Sequence, residues 1–320
     1  MNRIQILYLL LLAVVTLTTA SSCGDDEKNY ILNPGGSPDD KTPGLYPPID
    51  KNVALRLEVP RLQDGNIFVT HHVAYQSDSV MNYCLEYDPQ AMHSHWVAFR
   101  FDPVTRQSNV GRSSEPFIDD PALPDACHIG YNGFGQTYID LQGQLRQLPS
   151  RQFDRGHLCA SADRYLSREA NEQTFFMSNM SPQMSNFNSP YWSSFEQYVQ
   201  KRGRDASFAD TLYVVKGGTI APGQILGYVA RPNGSSVAIP RYYFMALLRC
   251  KNNKYSALAF WMEHKDYGLV EPLSNSEISA HVISIDELEQ KTDIDFFPNL
   301  PDNIESTVES FVAKSAWLLP

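Results

Sequence analysis

The chain has 320 residues, 42% of them hydrophobic and with no internal repeat, so it can hold one large domain with a well-buried core or two small ones. Its net charge of −10, from 36 acidic and 26 basic residues, excludes an evenly basic surface of the kind that grips a polyanion along its whole length. The acids are concentrated, however. Residues 24–53 carry six against three bases, residues 286–309 carry eight against one, and the remainder is close to neutral.

In chain order, residues 1–22 read as a secretion signal. Arg3 is followed by the apolar run Ile4 to Leu17 and then by small residues ending Ala20-Ser21-Ser22-Cys23, a stretch too short for a normal membrane span. A cysteine directly after small residues resembles the bacterial lipoprotein processing site. Cys23 is then the lipid-modified first residue of the mature chain, anchored in a cell-envelope membrane with the domain periplasmic or on the outer surface. An ordinary signal-peptidase site beside a stray cysteine is the alternative. Gly24-Asp25-Asp26-Glu27 fits either a surface-export tag or a solvated charge run. Residues 23–53, with Pro34-Gly35-Gly36-Ser37-Pro38, Pro43-Gly44 and Pro47-Pro48, read as a flexible tether, which leaves 54–320 as the folded domain.

Aromatic and β-branched runs bounded by turn residues predict strands over 66–73, 82–86, 95–101, 211–216, 236–239, 242–249 and 255–262. Ser189-Pro190 reads as a cap with proline in the first turn of a helix running through Phe195 and Tyr198 towards Gly203. Ser284 opens a second helix, with Glu287 completing a capping box. Strands on both sides of a helix-bearing middle predict an α+β domain around a central, mainly antiparallel sheet. Cys84, Cys127, Cys159 and Cys250 are too scattered for a zinc cluster. In an exported protein they make one or two disulfides plausible, in any of three full pairings.

Chemistry concentrates between Asp154 and Glu196. Asp154-Arg155-Gly156-His157 sets an imidazole that titrates near neutrality beside a guanidinium suited to phosphate. Asn188, Trp192 and Glu196 recur every four residues, which on a continuous helix puts them on one face. Arg146, Arg151, Arg155, Arg164 and Arg168 supply positive charge nearby, so nucleic-acid binding is expected to be local and salt-dependent. The other seven histidines read as packing or surface residues. No recognition-helix, zinc-finger or ribonucleoprotein pattern is present to read bases.

These residues resemble the DNA/RNA non-specific endonuclease family, which includes secreted bacterial sugar-non-specific nucleases and mitochondrial endonuclease G. The resemblance rests on Asp154 to His157, on Thr174-Phe175 with Ser178-Asn179 and Pro182-Gln183, and on Asn188, Trp192 and Glu196 in the family's order. Weaker similarity covers most of the chain after about residue 60. It departs at Cys159-Ala160-Ser161, where the family often has proline, and at Lys216-Gly217-Gly218-Thr219, in place of Thr-Gly-Pro. The resemblance implies a ββα-metal (His-Me finger) fold, and a Mg2+-dependent cleavage of DNA and RNA, with Mn2+ as a substitute, to 5′-phosphate and 3′-hydroxyl ends. It casts His157 as general base, Asn188 as metal ligand, Glu196 as holder of a metal-bound water and Arg155 as the phosphate contact. Asp154, Asn179 and Gln183 take supporting places, and a homodimer is within the family's habits. A catalytically silent surface lipoprotein that binds nucleic acid or another polymer on the same scaffold is the alternative, and hydrolysis of some other phosphodiester is a third.

Overall fold

The structure, a computed structural model, describes residues 51–114, 116–149 and 151–320. The signal segment, the lipidation cysteine Cys23 and the tether up to residue 50 lie outside the described residues.

Six of the seven predicted runs join one antiparallel sheet of seven strands, while the run at 236–239 goes to a second sheet. The seven strands are β1 (Ile67–Tyr75), β2 (Asp78–Asp88), β3 (His93–Phe101), β8 (Thr211–Gly218), β11 (Tyr242–Lys251), β12 (Lys254–Glu263) and β13 (Val282–Ile283), ordered β1-β2-β3-β8-β11-β12-β13. A second sheet, ordered β10-β9-β4-β5, contains β4 (Thr137–Asp140), β5 (Leu145–Gln147), β9 (Ile225–Ala230) and β10 (Ser236–Pro240). A two-stranded ribbon pairs β6 (Asp154–His157) with β7 (Met180–Gln183). The helices are α1 (Lys51–Ala54), α2 (Arg168–Gln173), α3 (Ser193–Arg204), α4 (Asn275–Ser279), α5 (Ile285–Thr292) and α6 (Asp302–Ser310).

Period-two alternation on β3 divides the interior in two. Val97, Phe99 and Phe101 face one core, where Phe195, Tyr198 and Val199 of α3 pack; Trp96 and Ala98 face the other, which Ile285 and Leu288 of α5 and Val308 of α6 close. The main sheet is therefore a middle layer with helices on both sides, which is why its central strands are apolar on both faces. Each large side chain so buried contributes ~1.5–3 kcal/mol of transfer free energy. A third cluster, with Phe153, Met177 and Met180 against Val229, Val237 and Ile239, seats the β6–β7 ribbon on the second sheet.

The mixed α+β architecture and the antiparallel central sheet match the expectation, and each of the seven predicted strands forms. The disulfides do not, because all four described cysteines are free thiols. Cys84 packs in one core while Cys127 and Cys159 pack in the other, so the sheet itself separates Cys84 from those two.

Candidate active site

The segment carrying the proposed base is a short strand that no hydrophobic pattern announces. β6 pairs antiparallel with β7, Asp154 opposite Gln183 and His157 opposite Met180. Gly156 has no room for a side chain: a Cβ there would lie 2.1 Å from Gln183 Oε1. Gln183 thus supports the ribbon by packing across it. Asn179 supports it by hydrogen bonding, donating to the carbonyls of Cys159 and Thr174 and accepting from Cys159 N, each at 2.8 Å. On the far side of β7, Ser181 Oγ meets His93 Nε2 at 2.7 Å, an example of a histidine used for packing.

Alternation puts Arg155 and His157 on the same side of β6, and both meet Phe117. The Arg155 guanidinium stacks 3.8 Å from the ring centroid, and the His157 ring lies 5.9 Å from it, with Phe175 edge-on at 5.3 Å. Arg155 also donates to Tyr131 O (2.7 Å), and that loop is itself fixed by Arg231, whose guanidinium donates to the carbonyls of Ile129, Gly130, Asn132 and Gly133. Among the described residues Arg155 forms no ion pair, so its charge is available. Neither Asp154 nor Asp163 takes it: Asp154 accepts from Ser185 Oγ (2.9 Å) and Asn188 Nδ2 (3.0 Å), and Asp163 pairs with Lys216.

His157 Nε2 is buried without a hydrogen-bond partner among the described residues. Burial, then the positive charge of Arg112, with Lys216 and Arg155 adding less, holds its pKa down at about 3. The imidazole is therefore neutral at any physiological pH, the state in which it can accept a proton.

The helix that follows differs from its expected form. Ser189 is extended (φ −142°, ψ 128°) inside the wide turn Phe187–Trp192, and the Ser189-Pro190 peptide is cis. The regular helix begins only at Ser193, so Asn188, Trp192 and Glu196 do not share one uninterrupted helical face. They are joined to β6 instead by separate bonds. Asn188 holds Asp154, at the start of the strand, and Trp192 Nε1 donates both to His157 O, at its end (3.2 Å), and to Glu196 Oε1 (3.0 Å). With its nitrogen committed to Asp154, Asn188 has Oδ1 as the atom free to meet a cation. One neutral oxygen beside half-buried carboxylates suits a hard divalent ion that keeps most of its waters. Glu196 is pushed up to about 7 by burial, which the positive charge of Lys216 partly offsets.

Three groups escape sequence reading. Lys216 and Asp163 form a fully buried ion pair at 2.7 Å whose charges reach both Glu196 and His157, and Arg112, stacked on Phe175 at 4.9 Å, is the cation pressing hardest on His157. A lysine in the middle of an otherwise apolar strand was the available signal for the first pair; nothing local marks Arg112. Conversely, the arginine cluster disperses. Arg164 is a core residue, stacked on Phe99 and Phe101 and donating to Arg100 O; Arg146 pairs with Asp140 on an exposed hairpin. Phe175 and Trp192 are both buried and serve as packing groups.

The family model for DNA/RNA non-specific endonucleases matches residues 64–303. A nuclease of Nostoc sp. is 27% identical over 237 residues, 72% of this chain and 76% of that protein, and mitochondrial endonuclease G of Bos taurus is 26% identical over 70% of each. Among solved structures, a chain in the crystal structure of an EndoG/EndoGI complex superposes with a TM-score of 0.51 at 20% identity, covering 74% of this chain and 89% of that one, a likeness of fold. The chain therefore belongs to the DNA/RNA non-specific endonuclease family and has its ββα-metal fold, with the β6–β7 ribbon and α3 as the candidate finger.

Proposed function

We propose that the chain hydrolyses phosphodiester bonds of both DNA and RNA, with Mg2+ as cofactor and Mn2+ able to replace it, leaving 5′-phosphate and 3′-hydroxyl ends. The observation that carries this reading is a neutral, half-buried imidazole beside the guanidinium of Arg155, which has no carboxylate partner among the described residues.

In this mechanism His157 takes a proton from the attacking water. Arg155 holds a non-bridging phosphate oxygen, its orientation fixed by Phe117 and Tyr131 O. Asn188 would offer Oδ1 to the divalent ion, with Asp154 orienting the carboxamide, and Glu196, held by Trp192, would accept a hydrogen bond from a water of that ion. Bound there, the ion would supply positive charge to the phosphate and to the departing 3′ oxygen. Because the groups assigned to substrate meet phosphate and not base edges, cleavage is independent of sequence.

The same reading anchors the domain at a cell-envelope membrane through lipidated Cys23, supported by the sequence of residues 1–23 alone, and admits a homodimer on family grounds. Digestion of circular DNA and of RNA across a Mg2+ titration, with EDTA as control, tests the enzymatic assignment. His157→Ala and Asn188→Ala should each lower the rate by at least ~100-fold with the fold intact. Full activity of His157→Ala would reject the base, and an unchanged Mg2+ dependence of Asn188→Ala would reject the ligand.

A further inference from the structure

On the sheet face away from the finger, three carboxylates meet where α5 and α6 cross. Asp286 and Glu289 stand one turn apart on α5, Glu309 lies near the end of α6, and one oxygen from each lies within 4.8 Å of the other two. Glu309 is only 7% exposed, and its Oε1 is buried with no hydrogen-bond partner among the described residues. Glu289 accepts one backbone bond, from Phe296 N at 2.8 Å. The basic residues close by are spent elsewhere: Lys291 pairs with Glu287 (3.4 Å) and Arg61 with Asp295 (2.8 Å), and among the described residues no ion pair reaches the triad.

Asp295 and Glu305 add negative charge around the same point. Burial and these neighbours push Glu289 up to about 7 and Glu309 up to about 9. A buried carboxylate with an unsatisfied oxygen and only like charges around it is costly unless it is protonated or meets a cation. The donor set is oxygen alone, which selects a hard ion. Bonds of 2.3–2.6 Å place opposite oxygens of a Ca2+ shell roughly 4.6–5.2 Å apart, whereas Mg2+ draws them to about 4.2 Å or less. Oxygens no more than 4.8 Å apart leave room for Ca2+, whose flexible shell accepts several carboxylates where Mg2+ demands a near-ideal octahedron and keeps its waters.

We propose that Asp286, Glu289 and Glu309 form a Ca2+ site, separate from the active site, that fastens α6 to α5. The apolar hold on α6 is slight, with Val308 and Ile304 its contributions to the core, so an ion shared between the helices has a structural consequence.

The test uses the full chain freed of metal with EDTA, with Ca2+ alone as the probe, followed by calorimetric titration and thermal unfolding. Wild type and Asn188→Ala should each bind Ca2+ saturably at this site and gain at least about 2 °C in Tm. Glu309→Gln should bind at least tenfold more weakly and lose that gain, while its metal-free Tm equals or exceeds wild type because a buried like charge is gone. If Glu309→Gln fails to fold, Asp286→Asn, on a half-exposed residue, carries the same comparison. Unchanged Ca2+ affinity in these variants, loss of the response in Asn188→Ala, or no response at about 1 mM Ca2+, the weak end for extracellular sites, would each overturn the proposal.

Discussion

The two faces of the main sheet both bury carboxylates, and they neutralise them differently. Beneath α3, Asp163 lies against Lys216 on β8, both side chains fully buried, so the counter-charge is part of the fold. Beneath α5 and α6, Asp286, Glu289 and Glu309 have no such partner among the described residues, and their ionisation is left to solution conditions. Built-in pairing fixes the charges around His157 and Glu196 whatever the surroundings. The unpaired triad instead makes stability respond to protons and cations.

The largest expected effect comes from breaking the first arrangement. Lys216→Met leaves Asp163 as a lone buried charge and should destabilise the domain by about 3–5 kcal/mol, measured by urea unfolding. Replacing both partners, with Asp163→Leu added, should recover much of that loss. Equal instability in the single and double variants would mean the pair is not what the fold relies on.

The second arrangement predicts a pH dependence of opposite sign. Glu309, with its folded pKa at about 9 against an ordinary value of 4.5, contributes stability that is present below pH 4.5 and lost as pH rises through 9; Glu289, at about 7, loses its share earlier. In EDTA, Glu309→Gln should therefore gain stability over wild type progressively between pH 4.5 and 9, read from unfolding midpoints. A constant difference across that range would remove Glu309 as the cause. On the finger face, His157 has its pKa depressed, so its contribution is present above pH 6.5 and lost as pH falls towards 3.

The smallest effect concerns the helix that presents two of the acids. Ser284 caps α5 by accepting from Glu287 N at 3.1 Å, and Ser284→Ala should cost about 1 kcal/mol. A loss confined to noise would show that α5 is held by Ile285 and Leu288 alone.

Much of this was legible in the sequence for physical reasons that differ by element. The seven strands were found because Val, Ile, Tyr and Phe cluster between turn residues, and Ser284 because a cap leaves a local signature. β6 was not read as a strand: Asp154-Arg155-Gly156-His157 has no apolar alternation, and its pairing with β7 is a tertiary fact. The fourfold spacing of Asn188, Trp192 and Glu196 suggested one helix face, but Ser189 takes extended backbone and the groups are joined to β6 one by one. Glu287 was read as closing a capping box. Only the serine half of that box forms at Ser284, whereas Ser274 and Glu277 make the complete one. Arg164 was counted among the arginines that bring positive charge near the site because sequence gives proximity and not direction; its side chain packs in the core. The Lys216–Asp163 pair spans 53 residues, beyond the reach of any local pattern.

The reaction proposed for this endonuclease depends on an imidazole that burial and neighbouring cations keep uncharged. Titration of His157 by 15N NMR in the metal-free protein measures that state directly. The ring should stay neutral down to about pH 4, consistent with a pKa near 3. Protonation with an ordinary midpoint near 6.5 would contradict it.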